Sequence, residues 1–396
     1  MNKKLFFSLI IILQCCNLAI SQGTASKQKN PYSLSEKDVQ WMREATIQQL
    51  NGCRVKGTNG IWIHTPDGDG NYKALWTRDF YYMVEYAADL MNPKEIKASI
   101  YYLINGQRED GCIPDRVNID GKAVYSPGGD NSPLADHALD NGPFMTLLVC
   151  SYVKQFKDET LFRAVEARLR RGLDFVNREE SGLVYNDEKN PQCVYGFTDI
   201  VKKTGNLLFS SLIYYKACRE MEELCRKYNY GNPDIYKVRS ENIQKSINIL
   251  MDEKSGMFWA ADKDCKQIDI WGSAYAVNVG ITTAEQSKRI SEYLIRNAEQ
   301  IVMNGQIRHL PGSDSSWNNL FLSCAEGTYQ NGAYWATPLA WVVPVIAQQN
   351  LPLAKKILRD VIKDFQEKGI NECINTDYIK IPNYVVSATN VYCLSR

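Results

Sequence analysis

Apolar residues recur every three or four positions along most of this 396-residue chain, which is the spacing of one face of an α-helix. The first such segment begins at Ser35, a residue suited to capping a helix, and Asp38 follows three positions later as its capping partner. The same pattern predicts further helices at residues 77–91, 94–105, 143–157, 159–177, 205–227, 233–252, 272–279, 283–303, 334–348, 352–368 and 385–394. Twelve helices taken as six hairpins predict an all-α fold, the (α/α)6 barrel, in which an inner ring of helices is surrounded by an outer ring.

The connections between these helices differ in length, and the long ones are rich in Gly, Asp and Pro. Residues 91–93 form a short connection, whereas residues 106–143 form the longest. Loops longer than about 15 residues are usually functional, so long loops gathered at one end of a barrel would build a site. A helical solenoid would also produce helix pairs, but the chain has no repeat of fixed period. We therefore expect a single domain over residues 35–396.

The first residues, MNKKLFFSLIIILQCCNLAISQG, are typical of a secretory signal peptide cleaved after Ser21. Residues 22–34 would then be an N-terminal extension. Lipoprotein processing at Cys15 or Cys16 is disfavoured, because Gln14 is not the small residue that such processing prefers. The apolar run is too short to span a bilayer, and no later segment is long and uncharged enough. We expect an exported protein, periplasmic or secreted, with no membrane span.

Charge and cysteine content exclude several classes of function. Cleavage would remove Lys3 and Lys4 and change the formal net charge from +1 to −1, which gives no electrostatic case for binding nucleic acid or an anionic membrane. The cysteines include no C-x-x-C pair, so they do not indicate a zinc site. Cys218 and Cys225 lie about two helical turns apart, too far to bridge. We expect mostly buried, free thiols, with an unassigned disulfide left open.

Two segments that combine acidic and aromatic residues lie at predicted helix starts. In ALWTRDFYYM, helix capping explains Thr77 as the N-cap and Asp79 in the first turn, but it does not explain Trp76 and Arg78. In DHALDNGPFM, Pro143 is a helix-start signal. Asp140 there is either a helix cap or, together with Asn141, a ligand for a polar substrate.

Asp199 lies in a third such segment, VYGFTDIVKKTGNLLF, between Phe197 and Ile200. A carboxyl group held against apolar side chains has a raised pKa, as a general acid near neutrality requires. The alternative is a turn aspartate ahead of the next helix.

A fourth segment, CAEGTYQNGAYWATPLAW, interleaves aromatic rings with amides. Rings stack on the apolar faces of pyranoses and amides pair with sugar hydroxyls, so Glu326, Tyr329, Asn331 and Trp335 are candidate sugar ligands. A helix start whose rings enter the core would look the same.

Three further segments have ambiguous patterns. Glu372 stands in GINECINTDYIKIPNYVVSATNVY and by itself reads as a loop glutamate. Trp271, in DIWGSAYAVNVGI, is either a sugar platform or a core anchor. Asp67 and Asp69 lack the remaining ligands of a calcium loop and are better explained by a turn.

Taken in order, the five segments resemble the six-hairpin glycosidases, most closely the glucoamylase family and its relatives among processing α-glucosidases and alkaline invertases. Trp76–Asp79 matches the W-T-R-D segment of glucoamylases, and Asp140–Pro143 approximates their D-G-P segment. The run Phe197–Asp199 looks like the catalytic-acid segment, with the aspartate of the processing glucosidases in place of the glutamate of glucoamylases. YQNGAYWATP is similar to the N-G-x-x-W segment of invertases, and NECIN to the segment that carries the general base.

This resemblance implies an exo-acting, inverting glycoside hydrolase that releases a terminal, α-glucoside-like sugar from an oligosaccharide or polysaccharide. Asp199 would be the general acid and Glu372 the general base, about 6.5–9.5 Å apart, with Glu326 as the rival base. The remaining candidates would bind the sugar: Trp76, Arg78, Asp79, Asp140, Asn141, Trp271, Tyr329, Asn331 and Trp335. Carboxylates suffice for this chemistry, so no cofactor or metal is expected.

Two other classes of function remain open at this stage. The same barrel carries unsaturated uronyl hydrolases and polysaccharide lyases, but these favour basic or histidine-rich sites. This chain has only His64, His137 and His309 and a balanced charge. A non-catalytic glycan-binding protein would keep the aromatic residues but would not need Asp199 and Glu372 to face one pocket.

Overall fold

The computed structural model describes residues 30–396, so the predicted signal peptide and most of the predicted extension lie outside the described residues. This part of the chain contains thirteen α-helices: α1 Glu36–Gly52, α2 Thr77–Ala87, α3 Pro93–Ile104, α4 Asn141–Phe156, α5 Glu159–Phe175, α6 Leu208–Tyr228, α7 Pro233–Ser246, α8 Ile270–Asn278, α9 Ala284–Arg296, α10 Ala298–Ile301, α11 Leu339–Ala347, α12 Leu351–Lys368 and α13 Val385–Ser395. Each of the twelve predicted helices is present, and the count rises to thirteen because the predicted helix 283–303 is divided into α9 and the four-residue α10.

Six helices form a closed inner ring. Helix α2 packs against α4, α4 against α6, α6 against α8, α8 against α11, and α11 against α13, which packs back against α2. The other long helices lie outside this ring, with α1 on α13, α5 on α4, α7 on α6 and α12 on α11. Inner and outer helices alternate along the chain, which is the (α/α)6 arrangement.

Burial explains why the two rings differ in sequence. The inner helix α4 is buried continuously from Asn141 to Val153. The outer helix α5 buries one face, which includes Leu161, Val165 and Leu169, and exposes most of its charged residues on the opposite face.

The helical barrel also carries short β-strands, so the prediction of an all-α fold was incomplete. The strands are β1 Arg54–Lys56, β2 Trp62–His64, β3 Ala74–Trp76, β4 Arg116–Asn118, β5 Ala123–Val124, β6 Gly128–Gly129, β7 Ser132–Pro133, β8 Tyr185–Asn186, β9 Gly205–Asn206, β10 Met251–Asp252, β11 Met257–Phe258, β12 Val302–Met303, β13 Gln306–Arg308, β14 Tyr334–Trp335, β15 Asn371–Asn375 and β16 Tyr378–Pro382. Two antiparallel sheets position the site: β3-β4-β5, and the five-stranded sheet β12-β13-β14-β15-β16.

Several local predictions need correction. Thr77 is not the N-cap of α2: Trp76 holds that position, and the Thr77 hydroxyl donates to the Pro114 carbonyl at 2.7 Å. The predicted helix 283–303 breaks at Asn297 and ends in a strand. Residues 334–335 pair in the five-stranded sheet, so α11 begins only at Leu339. Ser35 caps α1 as predicted, since its side chain accepts the Asp38 amide N–H at 3.1 Å.

Membrane and thiol predictions can be compared with the described residues. Across residues 30–396, no helix has the length and apolarity needed to cross a bilayer. The buried cysteines described there, among them Cys218 and Cys225, carry free thiols, as predicted.

The close approach of α4 to α5 predicts a stability effect. A Cβ at Gly142 would lie 2.3 Å from the Gly172 carbonyl oxygen, a backbone atom that cannot rotate away. We expect Gly142→Ala to lower the free energy of unfolding by about 2 kcal/mol through overpacking. Urea denaturation followed by circular dichroism measures this. The control is Gly52→Ala, where a Cβ would meet nothing within 4 Å; equal stabilities of the two variants would contradict the packing explanation.

Candidate active site

A cleft of about 770 Å³ opens at the end of the barrel where the inner helices begin. Trp76 and Tyr384 hold the N-cap positions of α2 and α13, and the turn Gly196–Thr198 precedes α6. The predicted site residues that line the cleft are Trp76, Arg78, Asp79, Asp199, Tyr329, Trp335 and Glu372. Both predicted catalytic carboxyls therefore face one cavity.

Asp199 is 6% exposed and follows the turn Gly196–Thr198. Its Oδ1 accepts a hydrogen bond from the Gln330 side-chain amide at 2.9 Å, and its Oδ2 lies 3.7 Å from Nη1 of Arg78. Burial raises the pKa of Asp199 to about 7, although Arg78 and Gln330 both favour the ionised form. This carboxyl group can therefore hold a proton near neutral pH.

Glu372 is 2% exposed, lies on β15 and lines the same cleft as Asp199. The Tyr72 hydroxyl donates to its Oε1 at 2.7 Å, while Oε2 is buried without a hydrogen-bond partner among residues 30–396. Burial raises the pKa of Glu372 to about 8, against the opposing effects of the Tyr72 hydrogen bond and of Lys380. One oxygen of this carboxyl group is thus held, and the other can accept a proton.

Asp79 is a third buried carboxyl group in the cleft lining. The Tyr384 hydroxyl donates to its Oδ1 at 2.6 Å. Burial raises the pKa of Asp79 to about 6, and the Tyr384 hydrogen bond opposes that rise. Asp79 therefore remains mostly ionised at neutral pH and can accept hydrogen bonds.

The loop that carries Tyr72 is organised by Asp67. Its carboxylate accepts backbone N–H groups from Asp69, Asn71 and Tyr72 at 2.8–3.0 Å, so Asp67 acts within a turn, as predicted. The Val385 amide N–H donates to the Pro66 carbonyl at 2.9 Å and ties this loop to the start of α13. The loop that carries Tyr72 and the helix start that carries Tyr384 are consequently held together.

Arg78 lines the floor of the cleft and is the centre of a buried ion cluster. It is 3% exposed and hydrogen-bonds Oδ1 of Asp115, and its guanidinium also lies 3.7 Å from Asp140 and 3.7 Å from Asp199. A Cβ at Gly196 would overlap the Arg78 side chain at 1.7 Å, so only glycine leaves room for it. The Gly196 amide N–H donates to Asp140 at 2.8 Å and fixes the turn before Asp199.

Aromatic rings line the cleft wall. Tyr72 meets Trp76 edge to face at 5.5 Å, and Tyr329 lies 5.6 Å from Trp335. Trp76 is partly exposed, whereas Trp335 is fully buried behind the surface. Ring faces of this kind suit the apolar face of a sugar.

Five predicted ligands lie away from the cleft. Asp140 contacts Arg78 and Gly196 from beneath, and Asn141 donates to the Ile113 and Tyr125 carbonyls. Trp271 is fully buried, donates to the Ile307 carbonyl and stacks on His309, so it is a core anchor. Asn331 bonds the Trp317 amide and the Cys324 carbonyl, and Glu326 is exposed outside the cleft lining.

Sequence patterns missed other residues of the site. Tyr72, Gln330, Tyr384 and Lys380 line the cleft, and Asp115 lies directly beneath it. Gln330 belongs to the segment CAEGTYQNGAYWATPLAW, but nothing in its spacing distinguishes it from its neighbours. Asp115 is placed by strand pairing, because Trp76 pairs with Arg116 between β3 and β4. Across residues 30–396, no three His, Cys, Asp or Glu side chains are grouped as a metal site requires.

Comparison with solved structures shows what this fold is similar to. No protein family model matches the chain, and no curated protein matches it by sequence. An uncharacterised conserved protein from Thermus thermophilus superimposes with a TM-score of 0.65 at 13% identity, covering 90% of this chain and 100% of that one. GH63 mannosylglycerate hydrolase from the same organism, in complex with Tris, gives 0.65 at 12% identity, covering 90% and 100%.

A rhamnosidase from Klebsiella oxytoca with rhamnose bound gives a TM-score of 0.66 at 13% identity, covering 91% of this chain and 64% of that one. The chain thus spans about two thirds of that rhamnosidase and the whole of the two Thermus proteins. Glycoside hydrolases are therefore among the proteins that share this fold. The more specific resemblance to glucoamylases remains a prediction.

The tyrosine donors predict separate titration changes. Tyr72→Phe removes a hydrogen bond that favours ionised Glu372, so the pKa of Glu372 should rise above about 8, by about one pH unit. Tyr384→Phe should raise the pKa of Asp79 above about 6 by the same mechanism. Carboxyl ¹³C NMR titration measures both, with resonances assigned from Glu372→Gln and Asp79→Asn. Each tyrosine substitution is the control for the other. An equal rise in the pKa of both Glu372 and Asp79 in either variant would refute the pairing of Tyr72 with Glu372 and of Tyr384 with Asp79.

Proposed function

We propose that this protein is an exo-acting, inverting glycoside hydrolase. The observation that carries the proposal is the pair of buried carboxyls, Asp199 and Glu372, which line one cleft and have raised pKa values near neutrality. A glycan-binding protein without catalysis has no need for such a pair. The fold shared with a rhamnosidase and a mannosylglycerate hydrolase supports the same class of reaction.

In the proposed reaction, Asp199 donates its proton to the glycosidic oxygen as the bond from that oxygen to the anomeric carbon breaks. A water molecule attacks the same carbon from the opposite face, and Glu372 takes the proton that the water releases. Tyr72 occupies Oε1 of Glu372, which leaves the unpartnered Oε2 as the proton acceptor. Gln330 occupies Oδ1 of Asp199 and would direct the acidic proton to Oδ2.

The reactive form of the cleft carries one proton on the two carboxyls. Each charge disfavours the ionisation of the other, so the pair titrates together rather than as two independent groups. Removing the last proton abolishes the acid, and adding a second abolishes the base. The active pH range is therefore the range in which the two carboxyls together hold one proton, whichever of them has the higher pKa.

Sugar binding in this proposal uses the residues around the carboxyls. Asp79 and Arg78 would bind hydroxyls of the terminal sugar, while Trp76 and Tyr329 offer partly exposed ring faces. Trp335 supports Tyr329 from behind. We propose an α-glucoside-like substrate in an exported location, and the named neighbours extend the substrate screen to rhamnosides and mannosides.

Substitution of the two carboxyls gives the first test. Asp199→Asn and Glu372→Gln should each lower kcat by about 10²- to 10⁴-fold on an oligosaccharide that the native protein cleaves. A glycosyl fluoride of the same sugar needs no protonation of its leaving group. It should therefore restore turnover in Asp199→Asn but not in Glu372→Gln. Turnover is followed as released sugar.

The control for this test is Glu326→Gln, because Glu326 is exposed outside the cleft lining and should not affect turnover. Full activity of both carboxyl variants would refute the assignment. Proton NMR of the first product tests the stereochemistry separately. A retained anomer appearing first would exclude inversion but would leave the identification of the two carboxyls unaffected.

Activity should depend on pH through the same carboxyls. Below about pH 7 the two carboxyls gain a second proton, so no ionised base is left. Above about pH 8 they lose their last proton, so no acid is left. A plot of kcat/KM against pH should therefore be bell-shaped with both limbs near neutrality. A flat profile between about pH 5 and about pH 9 would be incompatible with acid–base catalysis by this pair.

A further inference from the structure

Asp115 and Asp140 are two carboxylates that the proposed substrate cannot reach, since neither lines the cleft and both are fully buried. They nevertheless contact the guanidinium of Arg78, which also faces Asp199. One carboxylate would be enough to balance the single charge of Arg78. The presence of two, in addition to Asp199, calls for a separate explanation.

Charge counting around Arg78 indicates what the extra carboxylates do. A guanidinium paired with Asp199 alone would hold that carboxyl ionised, because an opposite charge at close range lowers a carboxyl pKa. Asp115 and Asp140 already place two carboxyl groups against the single positive charge of Arg78. Burial raises the pKa of Asp140 to about 6, so it is still mostly ionised at pH 7. Ionisation of Asp199 would add a third negative charge.

Arg116 does not alter this balance. Its Nη1 lies 3.1 Å from Oδ2 of Asp115, but its Nη2 pairs with Asp130 at 2.7 Å, so it brings a counter-charge of its own. The geometry also fixes the order of contact: Arg78 stands between Asp199, on the cleft side, and the two buried carboxylates.

We propose that Asp115 and Asp140 are positioning residues that keep Asp199 protonated near neutral pH by occupying the charge of Arg78. Arg78 then acts mainly as an electrostatic link between buried carboxylates and the acid, in addition to any contact with sugar. This inference rests on the proposed role of Asp199 as general acid.

Other titratable groups also act on Asp199. Those whose charge is coupled to it are Arg78, Asp115, Asp140, Glu372, Tyr329 and Cys193. Glu372 and Tyr329 belong to the opposite part of the cleft lining, and burial keeps the pKa values of Tyr329 and Cys193 far above neutrality. Asp115 and Asp140 are therefore the groups on the Arg78 side that can be neutralised without changing the cleft surface.

The test is a carboxyl ¹³C NMR titration of the full chain, with the Asp199 resonance assigned from Asp199→Asn. Asp115→Asn keeps the size and an acceptor oxygen but removes a negative charge, so the Asp199 titration should move down by about one pH unit. Asp140→Asn should move it in the same direction. Arg78→Gln should move it up.

The matched control is Asp364→Asn, another buried aspartate, which lies on α12 and accepts side-chain amides of Asn304 and Gln306. This substitution should leave the pH at which Asp199 titrates unchanged. A purely structural role of Asp115 would lower the melting temperature without moving that titration. An unmoved or raised Asp199 titration in Asp115→Asn overturns the proposal, and Asp140→Asn decides it if Asp115→Asn does not fold.

Kinetics distinguish this inference from the proposed function. In the active protein, a lower pKa of Asp199 should shift the acidic limb of the kcat/KM profile of Asp115→Asn, where the pair gains its second proton, to lower pH. If the native protein hydrolyses no glycoside while the titration moves as expected, the proposed function fails and the electrostatic link stands. If hydrolysis is found but the titration does not move, only the link fails.

Discussion

The buried guanidinium of Arg78 is the interaction on which the end of the barrel depends. Taking a charge out of water costs several kcal/mol, so it is tolerated only where opposite charges surround it. Here those charges come from separate parts of the chain: Asp115 before β4, Asp140 at the start of α4, and Asp199 before α6. One side chain of α2 thereby joins the first three inner helices at the floor of the cleft.

Backbone geometry makes this ion cluster possible. The Thr77 amide N–H donates to the Asp115 carbonyl at 2.9 Å, which brings β4 beside the start of α2. Gly196 leaves the space that Arg78 occupies, and its N–H group holds Asp140. A side chain at position 196 would push Arg78 away and move Asp199, so local backbone, ion cluster and proposed acid form one unit.

The same low-dielectric environment gives the cleft its chemistry. Burial raises the pKa values of Asp79, Asp199 and Glu372, and donors oppose that rise by different amounts. Tyr72 and Tyr384 reach their carboxyls from a loop and a helix start that hydrogen-bond to each other. The cleft thus contains three carboxyls whose different surroundings give them different pKa values.

Hydrophobic periodicity alone predicted the helices, because a helix long enough to repeat its apolar face identifies itself. It could not reveal the strands, most of which have two or three residues and show no alternation. The sequence also identified Trp76, Asp199 and Glu372 as candidate site residues. It did not distinguish them from Trp271 and Asp140, since most of these residues lie near helix starts. Only the tertiary structure separated the residues facing the cleft from those beneath it, and only it brought Tyr72, Asp115 and Gln330 to the carboxyls. Those contacts join residues up to 300 positions apart, and no local pattern encodes them.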